Sequence, residues 1–112
     1  MNPSRPGEVW LVGLDATQNH EQAGTRPALI LSVDSFNASS HLATVLPITS
    51  KLRAVRTRVE IQPPEGGLTM TSYVICEQTR TIAAARFHKS LGMVSPVTMG
   101  CVSDVVRMLL GP

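Results

Sequence analysis

Apolar and polar residues alternate along most of the chain, and this spacing of two is typical of β-strands with one buried face. Short polar stretches containing glycine or proline separate the alternating runs and mark turns. The pattern predicts six strands and a small seventh, at 8–14, 27–33, 41–47, 58–61, 71–77, 79–84 and 92–94. The polar segment 34–40 predicts a turn or a single helical turn.

The spacing becomes helical only near the C-terminus. Ser95 followed by Pro96 predicts a helix start, because serine caps helix N-termini and proline is tolerated at the first helical position. Gly100 lies inside this helix at a cost of about 1 kcal/mol relative to alanine, which predicts close packing there. The apolar residues at helical spacing are Val102, Val105, Val106 and Leu109. The predicted fold is mostly β (α+β), a small bent antiparallel sheet or barrel closed by a C-terminal helix.

Length and composition indicate one folded domain over residues 1–112. The chain is 43% apolar and 16% charged, which excludes a disordered protein. No apolar run approaches the roughly 20 residues of a membrane span, and the start has no secretory signal, so we expect a cytoplasmic protein. The two cysteines, Cys76 and Cys101, match no metal-ligand or disulfide pattern, and we expect both to be buried.

The charge pattern favours arginine. The net charge of +2 is too small to indicate nucleic-acid binding by itself, but eight of the ten basic residues are arginine. Arginine binds phosphate in a bidentate manner, whereas lysine acts as a point charge. Codon usage is the alternative explanation for this excess.

The densest polar cluster lies between the first two predicted strands, at 20–27. A loop of this length in so small a domain is more often functional than accidental, although a solvated hairpin is the alternative. Pro27 restricts the backbone of Arg26, the residue before it.

Several short segments are more specific in their order and spacing than any one of them is alone. They read GEVWLVGLD at 7–15, HEQAGTRPALILS at 20–32, FN at 36–37, VLPITS at 45–50, CEQTRTI at 76–82, Arg86, and LG at 91–92. In this order, and over nearly the whole chain, they resemble the MazF/PemK/Kid family of toxins.

The resemblance implies a small SH3-like antiparallel barrel of the Kid/CcdB type with a C-terminal helix. It implies a homodimeric toxin of a type II toxin–antitoxin system, a sequence-specific endoribonuclease that cleaves single-stranded RNA (mRNA) by 2′-hydroxyl attack and so inhibits translation and growth. Neither a metal nor another cofactor is implied. The implied partner is a cognate antitoxin with a disordered acidic C-terminal tail. The alternatives are a CcdB-like gyrase poison without nuclease activity, and a degenerate member that binds without turnover.

The resemblance also implies catalytic residues. Cleavage by a 2′-hydroxyl requires a base, an acid and donors for the charged phosphorane. Arg26 matches the family's arginine in the first inter-strand loop and would stabilise the phosphorane. Thr49 matches a threonine after the third strand, whose hydroxyl would hold a phosphate oxygen or the 2′-hydroxyl. Glu21 matches a glutamate that is a candidate base.

His20 and Glu77 match the Kid-type pattern, in which a histidine and an acidic residue join the site. The sequence departs from that pattern at Ile75, where the Kid-like branch has arginine, and this departure favours the Arg26 and Thr49 arrangement. His20 suits acid–base work because its unperturbed pKa is about 6.5, and a surface histidine is the alternative.

The candidate RNA-binding residues lie near these positions. They are Gln22, Thr25, Ser50, Lys51, Arg53 and Arg80. An exposed mobile loop is the alternative for the residues after Thr49, and a structural ion pair at a dimer interface is the alternative for Arg80.

Overall fold

The computed structural model describes residue 3 and residues 5–14 and 24–111. Its strands are β1 (Glu8–Gly13), β2 (Thr25–Ile30), β3 (Leu42–Thr49), β4 (Arg58–Ile61), β5 (Ser72–Ile75), β6 (Arg80–Ala83) and β7 (Phe87–Met93). Its helices are α1 (Asp34–Ser40) and α2 (Pro96–Leu110), and two short 3-10 turns lie at Glu65–Gly67 and Ala84–Arg86.

All strand pairs are antiparallel, and β3 pairs with three strands, more than any other described strand does. The order across the sheet is β4-β5-β3-β2-β1-β7. One edge of β3 pairs with β2, while the other edge pairs first with β6 and then with β5. The result is a small barrel-like sheet with a C-terminal helix, which confirms the predicted fold class.

The central strands are buried on both faces. Neighbouring residues such as Val9 (0% exposed) and Trp10 (2%) enter two different apolar clusters, since successive side chains of a strand point to opposite faces. The first cluster includes Val102 and Val106 of α2, so the helix covers that face. In the second, Trp10 and Phe87 meet edge to face with ring centroids 5.7 Å apart.

The start of α2 is fixed by two hydrogen bonds. The Ser95 hydroxyl accepts the Thr98 N–H at 3.1 Å, which confirms the predicted cap. The Glu65 carboxylate accepts the Ser95 N–H at 2.8 Å. Burial raises the pKa of Glu65, but hydrogen bonds from Thr98 and Ser95 outweigh this, and the net pKa is lowered. A carboxylate kept charged here also suits the positive end of the helix dipole.

The seventh strand is longer than predicted. It covers Phe87–Met93 rather than 92–94 and pairs with β1. As an edge strand it exposes most of its side chains, and only Phe87 is fully buried, so the sequence lacks a clear alternation there. The segment predicted as a turn or a single helical turn is the seven-residue helix α1. Its buried Asn37 side chain donates to the carbonyl oxygen of Ser32, which precedes the helix, at 3.2 Å.

The two cysteines differ, contrary to expectation. Cys76 is buried, and burial, followed by the nearby Glu77 charge, raises the pKa of its thiol to about 11. Cys101 is exposed on α2 and was wrongly predicted to be buried. No helix of the described residues is both long and apolar enough to cross a membrane.

Two glycines differ in what surrounds them. A Cβ on Gly67, whose φ is +71°, would lie 1.9 Å from the Leu91 carbonyl oxygen. A Cβ on Gly100 would meet nothing within 4 Å, so the close packing predicted there is wrong.

We therefore expect opposite effects of the same substitution at these two positions. Gly67→Ala should lower the free energy of unfolding by at least about 3 kcal/mol, because it adds a backbone clash to a left-handed φ. Gly100→Ala should raise it by up to about 1 kcal/mol through helix propensity. Urea unfolding of both variants tests this, and a destabilised Gly100→Ala variant would contradict it.

Candidate active site

A groove lies where β2 begins and β3 ends. Its volume is about 420 Å³. It is lined by Thr25, Arg26, Pro27, Ile48, Thr49, Ser50, Lys51, Leu68, Thr69, Met70 and Ser72. The structure thus brings together five residues predicted from the sequence: Thr25, Arg26, Thr49, Ser50 and Lys51.

The groove opens because the ladder between β2 and β3 stops. Its last rung joins Ala28 and Pro47. Every second residue of an antiparallel strand forms backbone hydrogen bonds with the same neighbouring strand. Leu31, directly after β2, is such a residue, and its N–H donates to the Thr44 carbonyl oxygen of β3. Pro27 lies four residues earlier in the same alternation but has no N–H to donate. Beyond Ala28 the two strand ends therefore line a groove.

Arg26 and Thr49 both line this groove. They hold corresponding positions on the two strands, each two residues beyond the last rung between Ala28 and Pro47. Arg26 is exposed and makes no ion pair with any residue that the structure describes. The Thr49 hydroxyl oxygen accepts a hydrogen bond from the backbone N–H of Lys51 at 3.1 Å, which leaves the hydroxyl hydrogen available for donation.

The lining combines positive charge, hydroxyl groups and apolar surface. Among the residues that the structure describes, its charged side chains are Arg26 and Lys51, and none of these lining residues carries a carboxylate. Its five hydroxyl residues are Thr25, Thr49, Ser50, Thr69 and Ser72. Its largest exposed apolar side chain is Met70, at 60% exposure. The positive and hydroxyl side chains of such a groove can donate hydrogen bonds to an anion, while Met70 offers an apolar surface to a planar group beside it.

The wall at 68–72 was not predicted from the sequence. Leu68 is buried against the core, while Thr69 and Met70 are exposed. Nothing in the local sequence distinguishes this stretch from a turn following two glycines. Only the pairing of β5 with β3, Tyr73 opposite Thr49, brings it to the groove.

Glu77 lies at the other end of β5 from the groove. Its carboxylate accepts two hydrogen bonds from the Arg58 guanidinium, at 2.9 and 3.1 Å. Burial raises the pKa of Glu77, but the hydrogen bonds from Arg58 and Thr57 outweigh it, and the net pKa is lowered.

The remaining predicted residues lie elsewhere. Arg53 is exposed and is not among the lining residues. Arg80 donates to the Leu14 carbonyl oxygen at 2.7 Å. His20, Glu21 and Gln22 lie outside the described residues.

Comparison with known proteins extends over nearly the whole chain. A family model described as "PemK-like, MazF-like toxin of type II toxin-antitoxin system" matches residues 5–110. The chain is 43% identical over 106 residues to Endoribonuclease PemK of Escherichia coli, which covers 93% of this chain and 80% of that protein. It is 32% identical over 109 residues to Endoribonuclease MazF of Staphylococcus saprophyticus, with coverage of 96% and 91%.

A solved structure agrees in its fold. The structure of an endoribonuclease in complex with its cognate antitoxin, from Mycobacterial species, superposes with a TM-score of 0.81 at 27% identity. The similarity covers 97% of this chain and 95% of that one.

The Arg58–Glu77 pair predicts a pH-dependent contribution to stability. Because the folded-state pKa of Glu77 is lowered, the pair stabilises the fold above the unfolded-state pKa, and this stability is lost as pH falls through the folded-state pKa. Glu77→Gln should lower the free energy of unfolding by about 0.5–1 kcal/mol at neutral pH, since the carboxylate is partly exposed.

Urea unfolding at neutral pH and at about pH 3 measures this difference. The difference in unfolding free energy between wild type and Glu77→Gln should shrink at the acidic pH and should disappear in an Arg58→Gln background. A difference that is equal at both pH values would contradict the assignment.

Proposed function

The chain belongs to the family of PemK-like, MazF-like toxins of type II toxin–antitoxin systems, and on this premise we propose that it is an endoribonuclease toxin that cleaves single-stranded RNA, mRNA above all, at a specific short sequence. The observation that carries this proposal is the groove between Arg26 and Thr49. Cleavage of mRNA would stop translation and growth.

The groove has the chemistry that single-stranded RNA requires. Arg26 and Lys51 supply positive charge for phosphates, and none of the other described lining residues is charged. The hydroxyl residues can bond to sugar hydroxyls and base edges, and Met70 offers a soft apolar surface to a base. With four aromatic residues in the whole chain, recognition relies on hydrogen bonds and phosphate contacts more than on aromatic stacking.

The proposed reaction is an internal transesterification. The 2′-oxygen attacks the adjacent phosphorus, the bond from phosphorus to the 5′-oxygen breaks, and the 5′-oxygen receives a proton. The products are a 2′,3′-cyclic phosphate and a 5′-hydroxyl end. Because the nucleophile belongs to the RNA, the protein must supply a base, an acid and stabilising charge, and a metal ion is not required by this route.

Arg26 and Thr49 are proposed to stabilise the phosphorane. The Arg26 guanidinium offers several donors and a permanent charge, and electrostatic stabilisation suits it better than proton donation because arginine has a pKa above about 12. The Thr49 hydroxyl, oriented by the Lys51 N–H, is placed to donate to a phosphate oxygen or to hold the 2′-hydroxyl.

The acid and base are proposed from the family resemblance. Glu21 is the candidate base, and His20 can exchange a proton near neutral pH. Glu77 remains a candidate by resemblance alone, since its ion pair with Arg58 holds it at the far end of β5. Gln22, Thr25, Ser50, Lys51 and Arg53 are proposed RNA contacts.

The proposed partners follow from the same groove. The family and the antitoxin complex of the mycobacterial neighbour support a cognate antitoxin. Its acidic tail would match the positive charge of Arg26 and Lys51 in the groove, and a disordered tail could order on binding. We further propose that the toxin acts as a homodimer.

Cleavage of RNA by matched variants tests the function. Wild type should cut long single-stranded RNA in EDTA and leave 5′-hydroxyl ends, detected by direct kinase labelling. Arg26→Ala should lower kcat by about 10²-fold or more, because it removes a donor to the developing charge. Thr49→Val should lower kcat, while Thr49→Ser should retain most of it.

Arg107→Ala is the matched control, since Arg107 is exposed on α2 outside the groove. Folded wild type that leaves varied RNAs intact would overturn the proposal. A DNA gyrase supercoiling assay would then test the gyrase-poison alternative.

Competition tests the antitoxin. Saturating antitoxin should displace a labelled RNA whose cleaved nucleotide lacks the 2′-hydroxyl, as followed by fluorescence anisotropy. An antitoxin tail with its Asp and Glu residues changed to Asn and Gln should displace the RNA far less, because charge complementarity is lost. RNA binding that is unchanged by the native antitoxin would contradict a shared groove.

A further inference from the structure

Two arginine side chains donate to carbonyl oxygens at the end of β1, one on its last residue, Gly13, and one on the next residue, Leu14. Arg80 Nη2 donates to the Leu14 oxygen at 2.7 Å. Arg86 Nη1 donates to the Gly13 oxygen at 3.2 Å. These bonds are partly buried and charged, so each is stronger than a neutral hydrogen bond at the surface. They join residues 66 and 73 positions apart in the chain.

Within residues 5–14 and 24–111, no strand pairs with this end of β1 on its outer side. The pairing of β1 with β7 ends at Val12 and Phe87, because β7 begins there. Gly13 and Leu14 extend beyond that rung. The two guanidinium groups therefore act where the β7 ladder has stopped.

The same end of β1 sets the position of Arg26. Val12 is paired with Arg26, and the Leu14 N–H donates to the Gly24 oxygen at 3.1 Å. On its other edge β2 has left the β3 ladder, since Pro27 offers no N–H. At Arg26 the neighbour that β2 retains is β1, so any movement of β1 there moves the Arg26 backbone.

Arg80 also connects this end to the strand that carries Thr49. Arg80 is the first residue of β6 and pairs with Val45 of β3. β3 continues from Val45 to Thr49 at the groove. The bond from Arg80 to Leu14 thus ties the strand pair bearing Arg26 to the strand bearing Thr49.

We propose that Arg80 and Arg86 are positioning residues of the ribonuclease site, which hold the end of β1 so that Arg26 stays level with Thr49. The assignment rests on the proposed function. It gives Arg80 a role different from the RNA contact predicted from the sequence.

The two roles of Arg80 leave different signatures. A side chain that neutralises an RNA phosphate contributes about 0.7 to the slope of log affinity against log salt for single strands. A side chain bonded to a backbone carbonyl contributes nothing to this slope, but its loss misplaces catalytic groups and lowers kcat. Misplacement by about 1 Å can cost as much as 10²-fold in rate.

The experiment uses the full chain with Arg80→Ala, Arg80→Lys, Arg86→Ala and Arg86→Lys. Melting temperatures are measured first, and kinetics are compared well below the lowest of them. Affinity for an RNA lacking the reactive 2′-hydroxyl is measured over a series of salt concentrations. Arg107→Ala controls for loss of one exposed positive charge, and Lys51→Ala supplies a proposed phosphate contact for comparison.

Both alanine variants should lower kcat by about tenfold to 10²-fold with little change in KM. Their salt slope should equal that of wild type, whereas Lys51→Ala should reduce it by about 0.7. The lysine variants should recover part of kcat, because an ammonium can still donate one hydrogen bond to a carbonyl. An Arg80→Ala variant with a reduced slope and unchanged kcat would overturn the assignment in favour of an RNA contact. A lowered melting temperature with unchanged kcat would overturn it in favour of a purely structural role.

Hydrogen exchange separates this inference from the proposed function. The Leu14 and Arg26 amides should exchange about tenfold faster in Arg80→Ala than in Arg107→Ala, since the end of β1 opens more often. If wild type cleaved no RNA, the proposed function would fall, and these amides would still decide whether the arginines hold β1. Unchanged exchange would refute that.

Discussion

The hydrogen bonds of β3 are the constraint on which the rest of the structure depends. One edge of this strand holds β2, and the other must serve β6 and β5 in turn. Pro47 sits between these two partners, where a residue without an N–H breaks no ladder on that edge. Sharing one strand among three neighbours bends the sheet, and the bend lets both faces bury apolar side chains in a chain of 112 residues. The groove also depends on these hydrogen bonds, because it begins where the β2–β3 ladder ends.

The site is built on strand ends that are braced by other means. Arg26 stands on a strand that has lost one neighbour, and Thr49 on the last residue of another. Such ends would ordinarily fray, and a frayed site cannot hold charge at a fixed place. Here the braces are guanidinium-to-carbonyl bonds on one side and a main-chain N–H on the threonine hydroxyl on the other. The geometry of the groove therefore depends on polar contacts around it as much as on the apolar core beneath it.

The parts of the fold that have a local signal are predictable from the sequence. The cap at Ser95 is a contact between residues close in sequence, and the alternation in the first three strands is a local pattern of buried and exposed positions. The structure confirms these elements. The motif order placed Arg26 and Thr49 among the candidates. Sequence could not predict that β7 starts at Phe87, because an edge strand exposes its side chains, nor that Cys101 and Gly100 face outward on α2. The groove wall at Met70 and the bond from Arg80 to Leu14 depend on pairing between distant segments, for which one sequence carries no periodic signal.

The six residues from Glu65 to Met70 have clearly different structural roles. Glu65 holds the start of α2, Gly67 fits against Leu91 where no side chain would fit, and Leu68 enters the core. Thr69 and Met70 follow immediately; their side chains have none of these structural roles and line the groove. Evolution can therefore exchange these two side chains without disturbing helix, turn or core. A rigid anchor that ends in two side chains without a structural role is a place where members of this family can differ in the surface of the groove while the fold stays the same.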